Sequence, residues 1–114
     1  MADKDMVIFI RTFDFLSWLL PLTNHFPRAH RHTVTKRLLD AGFDFFERIQ
    51  AANHRMGPLR REMLIAADES LANLRIYLRL AVRWKWMNDG QYRHAGTMLA
   101  EIGRLLGGWQ KSVR

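Results

Sequence analysis

Arg75, Arg79 and Arg83 recur at every fourth position of "DESLANLRIYLRLAVRWKW", residues 68–86. A second cationic stretch, "NHFPRAHRHTVTKR" at 24–37, places Arg28, His30, Arg31, His32, Lys36 and Arg37 within ten positions and no acid among them. Guanidinium groups stay protonated and carry only N–H donors, so they do not abstract protons. Their chemistry is recognition of phosphate or carboxylate oxygens, often by two parallel bonds.

Few other residues suggest reactivity. Ser17, Ser70 and Ser112 are the only serines, and none has a base and orienting acid nearby in sequence. The chain has no GxxxxGK[ST], GxGxxG or GxSxG. His30 and His32 invite a metal reading, but on a helix they point about 200° apart, and there is no cysteine to complete a site. Asp40, Asp44 and Glu47 share a helix face with Lys36, which suits solvation better than acid–base work. No catalytic residue, metal or cofactor is expected.

The arginines must be held by something. The chain has 114 residues, 48% of them hydrophobic, which is enough for one core, and a single domain over 1–114 is expected. Absence of cysteine fits a reducing compartment, hence a cytoplasmic location. Eighteen Lys and Arg against eleven acids give a formal charge of +7, an excess that favours polyanionic partners. The apolar stretch from Met6 to Leu22 contains Arg11 and Asp14 and falls short of the ~20 uncharged residues a membrane span needs. It also lacks the basic start and small-residue end of a signal peptide, and reads as a buried helix.

"HFPR", "HRMGPL" and "MNDGQ" break the chain with Pro or Gly in polar settings. They leave four helices, at about 4–23, 29–52, 59–86 and 91–113. In the first, Phe9, Phe13, Leu16 and Leu20 share a face, with Ile8, Phe15, Trp18 and Leu22 on the other side. In the second, Val34, Leu38, Ala41, Phe45, Ile49 and Ala52 form a stripe, with Phe43 on the polar side. Met63, Ala67, Ser70, Leu74, Tyr77, Ala81 and Trp84 make a heptad seam in the third, and Tyr92, Ala95, Leu99, Ile102, Leu106, Trp109 and Val113 do so in the fourth. Asn88 or Asp89 is placed to cap the fourth helix. Gly103 and Gly107 suggest close helix approach, or the pair Gly107–Gly108 begins to fray the helix end. Short connections make this all-α chain an antiparallel up-down-up-down four-helix bundle. The first and third helices carry more apolar surface than one bundle buries, which favours a homo-oligomer.

On the third helix the arginine row lies opposite the seam, flanked by Leu71 and Leu78 on one side and by Ile76 and Leu80 on the other. Like charges four residues apart destabilise a helix by a few tenths of a kcal/mol each, about 0.2–0.5. Acids of a neighbouring helix, a bound anion, or extension of the side chains into water would each offset that. Cations at the start of the second helix oppose its macrodipole, which favours an external anion there over a merely solvated loop.

"AADESLANLRIYLRLA" (66–81) followed by "LAEIGRLLGGW" (99–109) resembles the accessory variability determinant (Avd) family of diversity-generating retroelements. "FPRAHRHTVTKRLLD" (26–40) resembles the first turn and second helix of the same group, and more distantly the four-helix proteins encoded in 23S rRNA intervening sequences. The resemblance implies a non-enzymatic bundle that assembles into a pentameric barrel. It implies binding to the reverse transcriptase and to RNA or DNA in mutagenic copying of a template repeat. Carried over, Arg75 and Arg79 fall on the paired arginines of the third-helix motif, Arg104 on the fourth-helix arginine, and Arg28 and Arg31 on the basic turn. Arg83 extends the row, and Lys36 and Arg37 extend the turn. The competing expectation is an oligomeric scaffold of the intervening-sequence type with no nucleic-acid role. A small nuclease or metal enzyme ranks last.

Overall fold

The computed structural model describes the backbone of residues 3–113 and the side chains of residues 7–113. Among the described residues there are four α-helices and no strand: α1 (Asp3–Thr23), α2 (Val34–Asn53), α3 (Gly57–Arg83) and α4 (Asp89–Ser112). A single 3-10 turn, Arg28–His30, lies between α1 and α2. α2 packs most closely on α3, and α1 and α4 complete the circuit, α1 touching α2 and α4. The bundle measures 43 × 24 × 19 Å.

Helical periodicity decides most of what is buried. Leu38, Ala41, Phe45, Ile49 and Ala52 of α2 are buried, as are Ala95, Leu99, Ile102, Leu106 and Trp109 of α4. On α3 the inward face also takes in Leu64, Leu71 and Leu78, each at most 2% exposed. Burial of each such leucine contributes about 2 kcal/mol. Met63 and Tyr77, expected in the seam, sit at its edge and are only half-buried.

α1 departs further from expectation. Ile8, Thr12, Phe15 and Leu19 face the core. The stripe through Phe13 and Leu20 does not: these are 64% and 48% exposed. Phe13 meets the edge of Phe46, centroids 6.0 Å apart, and Phe43 of α2 is itself exposed. α1 is thus buried on one side, and its second apolar stripe opens with α2 into a groove lined by Phe13, Leu16, Ser17, Leu20, Phe43 and Phe46.

α2 begins at Val34, not at Ala29. Phe26 is buried and lies 5.6 Å from Trp86, while the His30 ring stacks on Trp86 at 5.3 Å and 12°. These contacts tie down the segment as a 3-10 turn, and all four basic side chains at 28–32 then lie ahead of the first turn of α2. The macrodipole penalty therefore applies only to Lys36 and Arg37, and Lys36 is offset by Asp40 one turn on, Nζ to Oδ2 2.7 Å.

α3 ends at Arg83, three residues before the expected boundary. The Lys85 N–H donates to the Val82 carbonyl and the Trp86 N–H to that of Ala81, with Lys85 at φ +65°. That is a Schellman stop with lysine in the left-handed position glycine usually takes. Asn88 caps α4 as expected: its side chain accepts from the Gln91 N–H at 2.7 Å, and the Gln91 side chain accepts from the Asn88 N–H at 2.9 Å.

Arg48 belongs to the fold. Arg48 Nη1 reaches from α2 to the Ala66 carbonyl of α3 at 3.0 Å and to the hydroxyl of Ser70, which is 1% exposed. Arg48→Ala would strip a buried hydroxyl of its donor. The expected loss is about 2 kcal/mol, read as a thermal midpoint lower by about 5 °C or more with unchanged helical content.

Candidate functional site

A side chain on the outward face of α3 meets either water or α4, depending on its angle around the helix. Arg75 leans towards α4, where its Nη2 donates to the Leu99 carbonyl at 3.1 Å. This carbonyl is reachable because the residue one turn on is Gly103: a Cβ there would lie 2.8 Å from Arg75 Nη2. Gly103 therefore makes room for a guanidinium, not for a second helix backbone. Beside Gly107 and Gly108 there is open space.

Arg79 lies one turn further along α3, and Arg93 of α4 lines the same groove. Arg75, Arg79 and Arg93 line a groove of about 320 Å³ whose floor includes the buried Leu78, Ala95 and Leu99. Three cations over an apolar floor suit an amphipathic anion or an acidic segment of a partner. Arg93 was not legible as a site residue, because it lies on a different helix from the row it joins. Among the described residues no carboxylate pairs with Arg75, Arg79, Arg83 or Arg93; the two ion pairs are Lys36–Asp40 and Arg104–Glu101.

The remaining expected site residues separate into three groups. Arg104 is held by Glu101, with Nη2 to Oε1 at 2.7 Å and Nε to Oε2 at 3.1 Å. Those bonds set the Glu101 carboxyl below its usual range, with Arg11 adding to the effect, and raise Arg104. A depressed carboxylate keeps this pair intact above the ordinary carboxylate range and gives it up as pH falls through the lowered value. Glu101 lines a hollow with Arg11 and Asp14 of α1, and Arg104 does not line the groove of Arg75, Arg79 and Arg93. Lys36 is likewise occupied, by Asp40, and Arg37 is exposed beside it.

Arg28 and Arg31 join Arg83 at one end of the bundle, brought there by the stack of His30 on Trp86. Arg83 and Lys85 line a shallow hollow at that end together with Asn88, Asp89 and Gln91. Trp84, expected in the buried seam, is 45% exposed, because the helix stops before it and helical periodicity no longer fixes its direction. It leans on Trp86 with centroids 5.2 Å apart. Lysine in the left-handed region costs about 1–2 kcal/mol relative to glycine, a strain kept at a cationic end.

No cluster of three or more His, Cys, Asp or Glu side chains that would hold a metal occurs among the described residues. Nor, among them, is any helix long and apolar enough to cross a membrane.

The model of the bAvd-like family matches residues 6–113. The chain belongs to that family. The four bAvd-like helices also superpose on the crystal structure of a protein of unknown function from the S23 ribosomal protein family of Bacteroides thetaiotaomicron VPI-5482. The TM-score is 0.85 at 20% identity, over 95% of this chain and 98% of that one. At that identity the likeness establishes the fold. No curated protein matches the chain. Membership agrees with the resemblance carried by "LRIYLRLA" and "AEIGRLLGGW", and those segments hold Arg75, Arg79 and Arg104 in the positions described above.

Proposed function

We propose that this bAvd-like chain is a non-enzymatic accessory subunit of a diversity-generating retroelement, binding the reverse transcriptase and its template RNA or cDNA. The observation that carries the reading is the arginine surface of α3 and α4, where Arg75, Arg79, Arg83 and Arg93 have no carboxylate partner among the described residues. Contacts to phosphate would position a strand with little sequence readout, and the apolar-floored groove suits acidic side chains of the polymerase.

The same reading takes 1–114 as one bundle domain whose helices alternate in direction. Its support is the order of the cross-helix contacts: Phe9 meets Trp109 while Trp18 meets His94, and Arg61 reaches the Val113 carbonyl while Arg75 reaches that of Leu99. Self-association, as a pentameric barrel by family resemblance, would cover the α1–α2 groove with a second copy, since Phe13 and Leu20 are otherwise left to water.

The test is co-purification of the tagged chain with the retroelement's reverse transcriptase, alongside filter binding of its template RNA. Arg79→Ala with Arg93→Ala is expected to keep the helical fold and lower retention of the polymerase or the RNA at least tenfold. Unchanged retention of both would remove the groove from the site. An oligomer that retains neither, even as wild type, would support the scaffold of the intervening-sequence type.

A further inference from the structure

The end of the bundle carrying Arg28 and Arg31 holds an arrangement the phosphate reading does not use. His30, Trp86 and Trp84 form a continuous aromatic stair: His30 lies parallel to Trp86, and Trp84 leans on the same indole. Trp86 is half-buried and anchors the stair, whereas the outermost ring, Trp84, is 45% exposed. Arg28 and Arg31 belong to the turn of His30, which stacks on Trp86, and Arg83 and Lys85 are the chain neighbours of Trp84. A large indole left open is poor use of apolar surface in a bundle, and a left-handed lysine beside it adds strain.

We infer that Trp84 is a stacking platform for an unpaired base of single-stranded nucleic acid, whose phosphates are held by Arg28, Arg31, Arg83 and Lys85. This rests on the nucleic-acid reading above and narrows it. Cations alone bind any polyanion, duplex included. An exposed indole framed by cations combines a π-face for a base with donors for the backbone on either side, which is the pairing used for sequence-tolerant single-strand binding. Bases in a duplex are stacked on one another and do not reach such a platform. The left-handed Lys85 sharpens the turn between Trp84 and Trp86, so that two tryptophans separated by one residue lie against each other.

The experiment measures anisotropy of a labelled twelve-nucleotide oligo-dT, of the same strand with abasic sites throughout, and of a duplex of that length, all at one moderate salt concentration. The full chain is used as wild type, Trp84→Ala and Trp84→Phe. Wild type is expected to bind oligo-dT about tenfold more tightly than the abasic strand. Trp84→Ala is expected to remove that difference while leaving the abasic affinity within about twofold, and Trp84→Phe to restore most of it. Equal wild-type affinity for base-bearing and abasic strands overturns the platform while leaving phosphate binding in place, and needs no variant to fold. Tighter binding of the duplex than of oligo-dT overturns it too. Failure of wild type to bind any of the three strands overturns both this inference and the nucleic-acid part of the reading beneath it.

Discussion

Replacement of Phe13 and Leu20 by Glu together is expected to give a folded monomer. Both side chains point away from the core, at 64% and 48% exposure, so neither is needed for the bundle itself. Thermal stability and helical content of the isolated chain should change little. In an assembly whose contact covers the α1–α2 groove, the same positions are interior. Two carboxylates would enter a surface formed by Phe43, Phe46 and Leu16, with no cation among the groove's lining residues. An uncompensated buried charge costs about 3–5 kcal/mol, which weakens each contact more than a hundredfold. Sedimentation or light scattering reads the outcome directly: wild type as an oligomer, the double variant as a single chain. A double variant that keeps the wild-type mass would place the interface elsewhere.

The second large effect concerns charge. Arg28, Arg31, Arg79 and Arg83 are exposed and, among the described residues, make no ion pair. Their joint replacement by Ala should leave the bundle intact, since exposed substitutions away from caps and networks change stability by about 0.5 kcal/mol or less each. Binding should respond far more. Each phosphate contact on a single strand contributes about 0.7 to the slope of log affinity against log salt. Four lost contacts lower that slope by about 3 and, near 0.1 M salt, weaken binding by several hundredfold. Arg104 and Lys36 serve as controls. Each is already paired with a carboxylate of its own helix, so alanine there should change binding much less.

Much of this was legible in the sequence, and the reasons for the remainder are physical. The α2 and α4 stripes follow from periodicity, and the Asn88 cap from the chemistry of helix starts. The α1 stripe through Phe13 misleads because an apolar helical face looks the same whether the chain's own core covers it or nothing does. Trp84 fits a heptad on paper, but the helix stops one residue earlier with a left-handed lysine that no residue preference announces. The arginine row was visible as a row. Its division was not: Arg75 straps α3 to the Leu99 carbonyl over Gly103, Arg79 shares a groove with Arg93 of another helix, and Arg83 lines the hollow at the aromatic end. Each of these depends on contacts between residues distant in the chain. The basic turn shows the same limit. Its charge is plain in the sequence, but its position beside Trp86 comes from the packing of Phe26 and His30.

The most direct test of the central claim, that the unpaired guanidinium groups bind phosphate, is a salt titration of wild-type binding to single-stranded RNA by filter retention. Log affinity should fall linearly with log salt, with a slope of about −3 or steeper if four or more phosphates are neutralised. A flat response, or no retention at low salt, would contradict it.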